Sequence, residues 1–279
     1  MIDIKLTNGV SMPGMVIGTN WMGKRELKKI LHSAFNAGFR AIDTARDYGN
    51  EPIVGQALSE VLKETGISRE EIFITTKIGN GQQQKGDING EIEQSLSNLK
   101  TDYLDLWLMH WPYPGYFEST WDKMCEIYAN TDKTRAIGVA NYDIRHFRKL
   151  KNNTNGIMPM VNQIEFHPLR TISTLRDYMK TENITLEAYC PLCRLISPIK
   201  ESEVLKKLAS KYNKSIGQII LRWHLQNNAI PIFKSYNPNR FKENIEIFDF
   251  SLSEEETAQI SALNQNYKYH LESASCPGY

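Results

Sequence analysis

The chain has 279 residues, 41% of them hydrophobic and 23% charged, with a formal net charge of +1. That balance suits an ordinary globular protein and excludes collagen-like, disordered and strongly basic nucleic-acid-binding chains. Four cysteines are too few for a disulfide scaffold at this length, no apolar run approaches the ~18 residues of a membrane span, and the opening MIDIKLTNGV lacks the basic and apolar regions of a secretion signal, so a cytoplasmic protein with reduced thiols is expected.

The first readable element is IKLTNGVSM, where Asn8-Gly9 between short apolar stretches predicts a two-residue β-hairpin. Strand-like runs follow at 15–19, 40–43, 72–77, 104–110, 136–141, 159–163, 185–189 and 229–234. Helical patterns alternate with them. Leu27, Ile30, Leu31, Ala34 and Phe35 form one buried face, and Ile92, Leu96 and Leu99 another. Two extra helices, 201–212 and 216–227, fall between the seventh and eighth strands, and one more starts near Ser253. Strand followed by helix, repeated eight times, predicts an α/β fold of the (β/α)8 or TIM-barrel type. An N-terminal hairpin precedes the barrel, and extra helices follow strand seven and close the chain. No linker or composition break interrupts 1–279, so one domain is expected.

Such barrels carry their active site at the C-terminal strand ends. Here those ends are Asp43, Lys77, His110, Asn141, Gln163, Tyr189 and Lys234. A lysine buried at a barrel mouth needs a carboxylate, and Asp43 on the neighbouring strand can supply it. Tyr48 follows Asp43 within one polar turn. An ammonium beside a phenol favours the phenolate, so Lys77 is expected to bring Tyr48 below its ordinary value of roughly 10. His110 can bond the same oxygen. A tyrosine acid with a lysine and a histidine suits a carbonyl oxygen that becomes a hydroxyl, and hydride delivery to its carbon calls for a nicotinamide cofactor. No nucleophile with its base is evident.

The runs GFRAIDTARDYGNE (38–51), IFITTKI (72–78), YLDLWLMHWP (103–112), RAIGVANY (135–142), MVNQIEFHP (160–168), AYCPL (188–192) and IFKSYNPNRFKENIEIFDF (232–250) resemble the aldo-keto reductases, in that order and over nearly the whole chain. The resemblance implies the barrel, NADPH-dependent carbonyl reduction and a catalytic tetrad of Asp43, Tyr48, Lys77 and His110. It also implies that Asn141 and Gln163 bond the nicotinamide carboxamide, that Tyr189 stacks on the nicotinamide, and that Gly18 and Thr19 lie beside the tetrad. By the same resemblance, Lys234, Ser235, Tyr236, Asn237 and Arg240 hold the adenosine 2′-phosphate, and Glu243 and Asn244 lie near the adenine. Lys with Arg suits a dianionic phosphate. No GxGxxG follows a strand, in keeping with a cofactor bound without a Rossmann domain.

Four departures from the family pattern shape the remaining expectations. Ala140 replaces a serine before the asparagine. Gly79 replaces an aromatic, which would leave one pocket wall missing. Cys190 and Cys193 replace a serine and a glycine. The tail 265–279 matches no family ending, and its Tyr267, Tyr269 and His270 could add polar contacts over the mouth. Trp21, Trp111 and Tyr113 follow strand ends and are expected to wall an open aromatic pocket for small-molecule carbonyl substrates. A metal site of His167 with Asp43, His110 and Glu165, and a redox or zinc role for the CxxC pair, are weaker readings, and no metal is expected. The competing function class is a cofactor-binding, redox-sensing regulatory subunit on the same fold. A monomer is expected.

Overall fold

The computed structural model describes residues 2–153 and 155–270. It opens on an antiparallel hairpin of β1 (Asp3–Lys5) and β2 (Ser11–Pro13), in register with Lys5 opposite Ser11. The connection is longer than the two-residue turn expected from Asn8-Gly9. The Leu6 N–H donates to the Val10 carbonyl and the Gly9 N–H to the Leu6 carbonyl, leaving Thr7, Asn8 and Gly9 as the loop. Gly9 takes φ +86°, the left-handed position such a three-residue loop requires.

Eight parallel strands then close a barrel: β3 (Val16–Gly18), β4 (Ala41–Asp43), β5 (Phe73–Ile78), β6 (Leu106–Met109), β7 (Ile137–Ala140), β8 (Val161–Glu165), β9 (Thr185–Tyr189) and β10 (Ala229–Phe233), with β10 pairing β3. Every residue of β3 to β8 and of β10 is buried, as in strands covered on both faces. The helix Lys24–Asn36 buries Leu27, Ile30, Leu31, Ala34 and Phe35, the set its sequence periodicity picks out. After β9 come a short turn of helix, Ser197–Lys200, and the helices Glu203–Tyr212 and Ile216–Gln226; Glu254–Ser261 follows later, capped by Ser253. Among the described residues no helix is long and apolar enough to cross a membrane.

At the opposite end of the barrel, buried Asp105 accepts the Ile74 N–H (2.9 Å), Arg69 (2.9 Å) and Arg135 (2.8 Å), fastening β5, β6 and the approach to β7.

Candidate active site

β4 ends at Asp43, and the chain turns at once through a single 3-10 turn, Arg46–Tyr48. Arg46 anchors that turn, donating to Glu91 and Glu51, both at 3.3 Å, while Thr76 donates to Glu51 at 2.7 Å. Thr19, just past β3, holds the Asp43 carbonyl with both its N–H (3.0 Å) and its hydroxyl (2.9 Å). Gly18 pairs directly with Asp43 in the sheet. The expected tetrad is therefore assembled on strand ends and one braced turn.

Lys77 on β5 is completely buried. Its ammonium donates to both Asp43 oxygens at 2.7 Å, to the Thr44 carbonyl at 2.9 Å and to the Tyr48 hydroxyl at 3.3 Å. Burial alone would push Lys77 down, but the attraction of Asp43 and Tyr48 outweighs it and the net shift is upward. The lysine stays charged.

Tyr48 differs from the expectation. Burial pushes its phenol above the ordinary value, and the downward pull of Lys77 does not offset that. The reason is geometric: Lys77 makes its short bonds to Asp43 rather than to Tyr48, and the Asp43 and Asp47 charges both oppose a phenolate. Tyr48 therefore keeps its proton at neutral pH, as a proton donor must, with an ammonium waiting beside the oxygen.

His110 lies edge-on to Tyr48, ring centroids 5.7 Å apart, with Trp111 tilted against it at 6.3 Å. Its Nδ1 lies 3.0 Å from Asp47 Oδ2. The wall expected to be missing at Gly79 is instead taken by that aspartate, since a Cβ at position 79 would overlap the Asp47 carboxylate. Sequence reasoning passed over Asp47; its adjacency to Tyr48 together with the glycine at 79 was the available signal. Glu187 on β9 was passed over too. It is buried inside the barrel, where Gln163 Nε2 bridges Glu187 Oε2 and Asp43 Oδ2, each at 2.8 Å. Burial, followed by repulsion from Asp43, pushes the Glu187 carboxyl up to about 8.

The other predicted residues fall into three groups. Asn141 donates to the His110 carbonyl (3.0 Å) and accepts from the half-buried Tyr189 hydroxyl (2.9 Å), so Asn141, Gln163 and Tyr189 share one side of the mouth. The segment after β10 forms the second group. Lys234 donates to the Asn20 carbonyl (3.0 Å) and Tyr236 to the Trp21 carbonyl (2.9 Å), tying it to the first loop. Ser235 donates to the Asn237 carbonyl (3.1 Å), and Arg240 grips both oxygens of Glu243 at 2.8 Å. The helix Asn239–Ile245 is seated by Phe241, packed against Phe39 and Phe233, and buries Asn244. The third group is the expected pocket. Trp111 is buried, Tyr113 stacks on Tyr116 at 5.5 Å, and Trp21 is 80% exposed with a left-handed backbone, φ 63°. The Trp21 side chain is thus largely open to solvent, and only its carbonyl is held, by Tyr236.

The C-terminal segment reaches the mouth as well. The Tyr269 and His270 N–H groups donate to buried Glu165 at 2.6 and 2.8 Å, and His270 lies edge-on to Tyr189 at 5.7 Å. Residues 271–279 of the expected tail lie outside the described residues. Glu165 also meets His167 Nε2 at 3.1 Å, and among the described residues no group of three or more His, Cys, Asp or Glu could hold a metal ion. The Cys190 and Cys193 thiols are pushed up to about 12 and about 11 by burial and by Glu165, which works against thiolate chemistry.

The described residues fit a phosphate-bearing nicotinamide coenzyme. Exposed Lys234 and Arg240 on one segment suit a phosphate monoester, and the Tyr189 ring with two flanking amides suits a flat ring carrying a carboxamide.

Comparison with known proteins agrees. Residues 10–265 match the model of the Aldo/keto reductase family. Glyoxal reductase of Bacillus subtilis is 42% identical over 264 residues, covering 94% of this chain and 93% of the relative. Methylglyoxal reductase DkgA of Salmonella typhimurium is 37% identical with the same coverage. The crystal structure of a Bombyx mori aldo-keto reductase in complex with NADP superimposes with a TM-score of 0.91 at 33% identity, covering 98% of this chain and 96% of that one. A barrel with this strand-end geometry and these relatives has one reading: the chain belongs to the aldo/keto reductase family.

Proposed function

We propose that this protein reduces aldehydes and activated ketones to alcohols with NADPH, using Tyr48 as the proton donor. The observation that carries the reading is the buried Lys77 ammonium, gripped by Asp43 and 3.3 Å from the Tyr48 hydroxyl. When bound, NADPH supplies the hydride. Tyr48 holds its proton until the carbonyl oxygen gains charge. As that proton leaves, the phenolate forms against an ammonium already in place, at no cost of reorganisation. Asp43 keeps Lys77 ionised, and His110 bonds and orients the carbonyl oxygen.

In this reading Tyr189 stacks on the nicotinamide while Asn141 and Gln163 bond its carboxamide. Gln163 Nε2 already serves Asp43 and Glu187, which leaves its carbonyl oxygen to accept. Gly18 and Thr19 hold the Asp43 end of the first turn. Lys234, Ser235, Tyr236, Asn237 and Arg240 take the 2′-phosphate, with Glu243 and Asn244 at the adenine. Trp111 and Tyr113 wall the substrate space and Trp21 covers its rim.

The relatives named for glyoxal and methylglyoxal reduction point to small, reactive aldehydes, and reductase names weigh against the regulatory alternative. The test is loss of NADPH absorbance with glyoxal, methylglyoxal, a benzaldehyde and a sugar aldehyde. Turnover of several is expected, because the proposed walls, Trp111 and Tyr113, are aromatic, and apolar walls reject analogues only weakly. No turnover of any by folded protein would sink the reading. One substrate favoured by more than ~10⁴ would sink the broad pocket.

A further inference from the structure

Asp47 has no part in the chemistry so far, yet it stands against His110. Its Oδ2 lies 3.0 Å from His110 Nδ1, and its carboxylate fills the space that any side chain at position 79 would occupy. The turn that carries it is held by Arg46 on Glu51 and Glu91. The contact is thus a built one, and it needs both an aspartate at 47 and a glycine at 79.

A carboxylate oxygen and a ring nitrogen at this distance need a proton between them, and an ionised carboxylate has none to give. The proton must therefore be on Nδ1. Nε2 is then a bare lone pair in the neutral ring and an N–H donor only in the imidazolium. A carbonyl oxygen offers only lone pairs, so it is bonded by His110 only in the charged form. An alcohol offers an O–H, which the neutral ring accepts.

We infer that Asp47 is a positioning residue that fixes the Nδ1–H form of His110, so that carbonyl reduction uses the His110 imidazolium and alcohol oxidation the neutral ring. The inference rests on the proposed reductase chemistry for its kinetic consequence, though not for the tautomer itself. The charged and titratable groups around the ring are Asp47 and Tyr48 from the turn after β4, Asp43 at the end of β4, and Lys77 from β5. Burial lowers His110, and so does Lys77; Asp47 and Asp43 oppose them without offsetting the fall, so the net shift is downward. Asp47 is the group in hydrogen-bond contact that keeps the imidazolium within reach.

The experiment is ¹⁵N NMR of the ring in protein without coenzyme, with His110→Gln to assign the signal, alongside pH profiles of kcat/KM for benzaldehyde and for benzyl alcohol. In the wild type, neutral His110 should show a protonated Nδ1 and a pyridine-like Nε2. Asp47→Asn should release the ring to the Nε2–H form and lower its titration midpoint. Gly79→Ala, whose Cβ displaces the carboxylate, should do the same. Wild-type reduction should fall as pH rises through the His110 titration, and Asp47→Asn should flatten that fall. Benzyl alcohol oxidation, which needs the bare Nε2, should fall in this variant by between about 10-fold and the ~10⁴-fold seen where a catalytic histidine held by aspartate is given the wrong tautomer. A wild-type ring that is Nε2–H when neutral overturns the inference, as does a pH profile that Asp47→Asn leaves unchanged in shape. Absence of turnover with a correct tautomer would overturn the reductase reading instead.

Discussion

Lys77 carries its charge in complete burial, with both Asp43 oxygens 2.7 Å from its ammonium and the Tyr48 hydroxyl a longer 3.3 Å away. The pair is thus committed to itself first and to the phenol second. Tyr48→Phe should then leave the ion pair and the coenzyme affinity intact while lowering kcat by at least ~10²-fold, the usual size of a general-acid contribution. Stopped turnover and a fluorescence titration of NADPH separate the two quantities. Near-native kcat would remove Tyr48 from its role. Lys77→Met should lower kcat too, but it strands a buried carboxylate, so its thermal unfolding must also drop.

Arg240 is preordered by its two-oxygen grip on Glu243, on an exposed surface where a phosphate can reach it. A charged hydrogen bond contributes about 1.5–3 kcal/mol. Arg240→Ala should therefore weaken NADPH by roughly ten- to hundredfold and leave NADH almost unchanged. Equal losses for both coenzymes would show that Arg240 does not read the 2′-phosphate.

Asp105 sits far from this chemistry and should report only on stability. It is buried and joins Arg69, Arg135 and the Ile74 N–H. Asp105→Ala leaves a part-buried guanidinium and a strand N–H without their acceptor, at a cost of about 3 kcal/mol. Denaturant unfolding should show that loss, with kcat at low temperature unaltered. A change below ~0.5 kcal/mol would mean water replaces the carboxylate.

The barrel was legible because buried parallel strands write continuous apolar runs and their helices write a 3.6-residue period; Leu27 to Phe35 is one such signature, and the structure buries each residue of the set. That Asp43, Lys77 and His110 would meet near Tyr48 was legible because polar groups stand at the ends of those runs. What stayed hidden depends on contacts between distant positions. Gly79 reads as missing bulk until Asp47 is seen filling it. Glu187 reads as one polar residue in TLEAY until its neighbours across the barrel, Gln163 and Asp43, are known. The rise in the Tyr48 pKa has the same origin, since the burial that causes it comes from packing between segments distant in the chain, which outweighs the pull of Lys77.

Glu187 supplies the last prediction. Its Oε2 takes one amide N–H from Gln163, its Oε1 is buried without a partner, and the nearest cation is bonded to Asp43 instead. Burial and the Asp43 charge therefore raise it from 4.5 to about 8 in the fold. A raised carboxyl means that the native state holds a proton the unfolded chain has already released. Stability should then fall as pH rises between 4.5 and about 8, and level off above. Glu187→Gln keeps an oxygen for Gln163 and removes the titration. The variant should match or slightly trail the wild type near pH 5 and gain on it steadily toward pH 8, read as the difference in unfolding free energy at each pH. Parallel curves for the two proteins would mean that Glu187 ionises in the fold as it does in water, and that Lys77 serves both carboxylates rather than Asp43 alone.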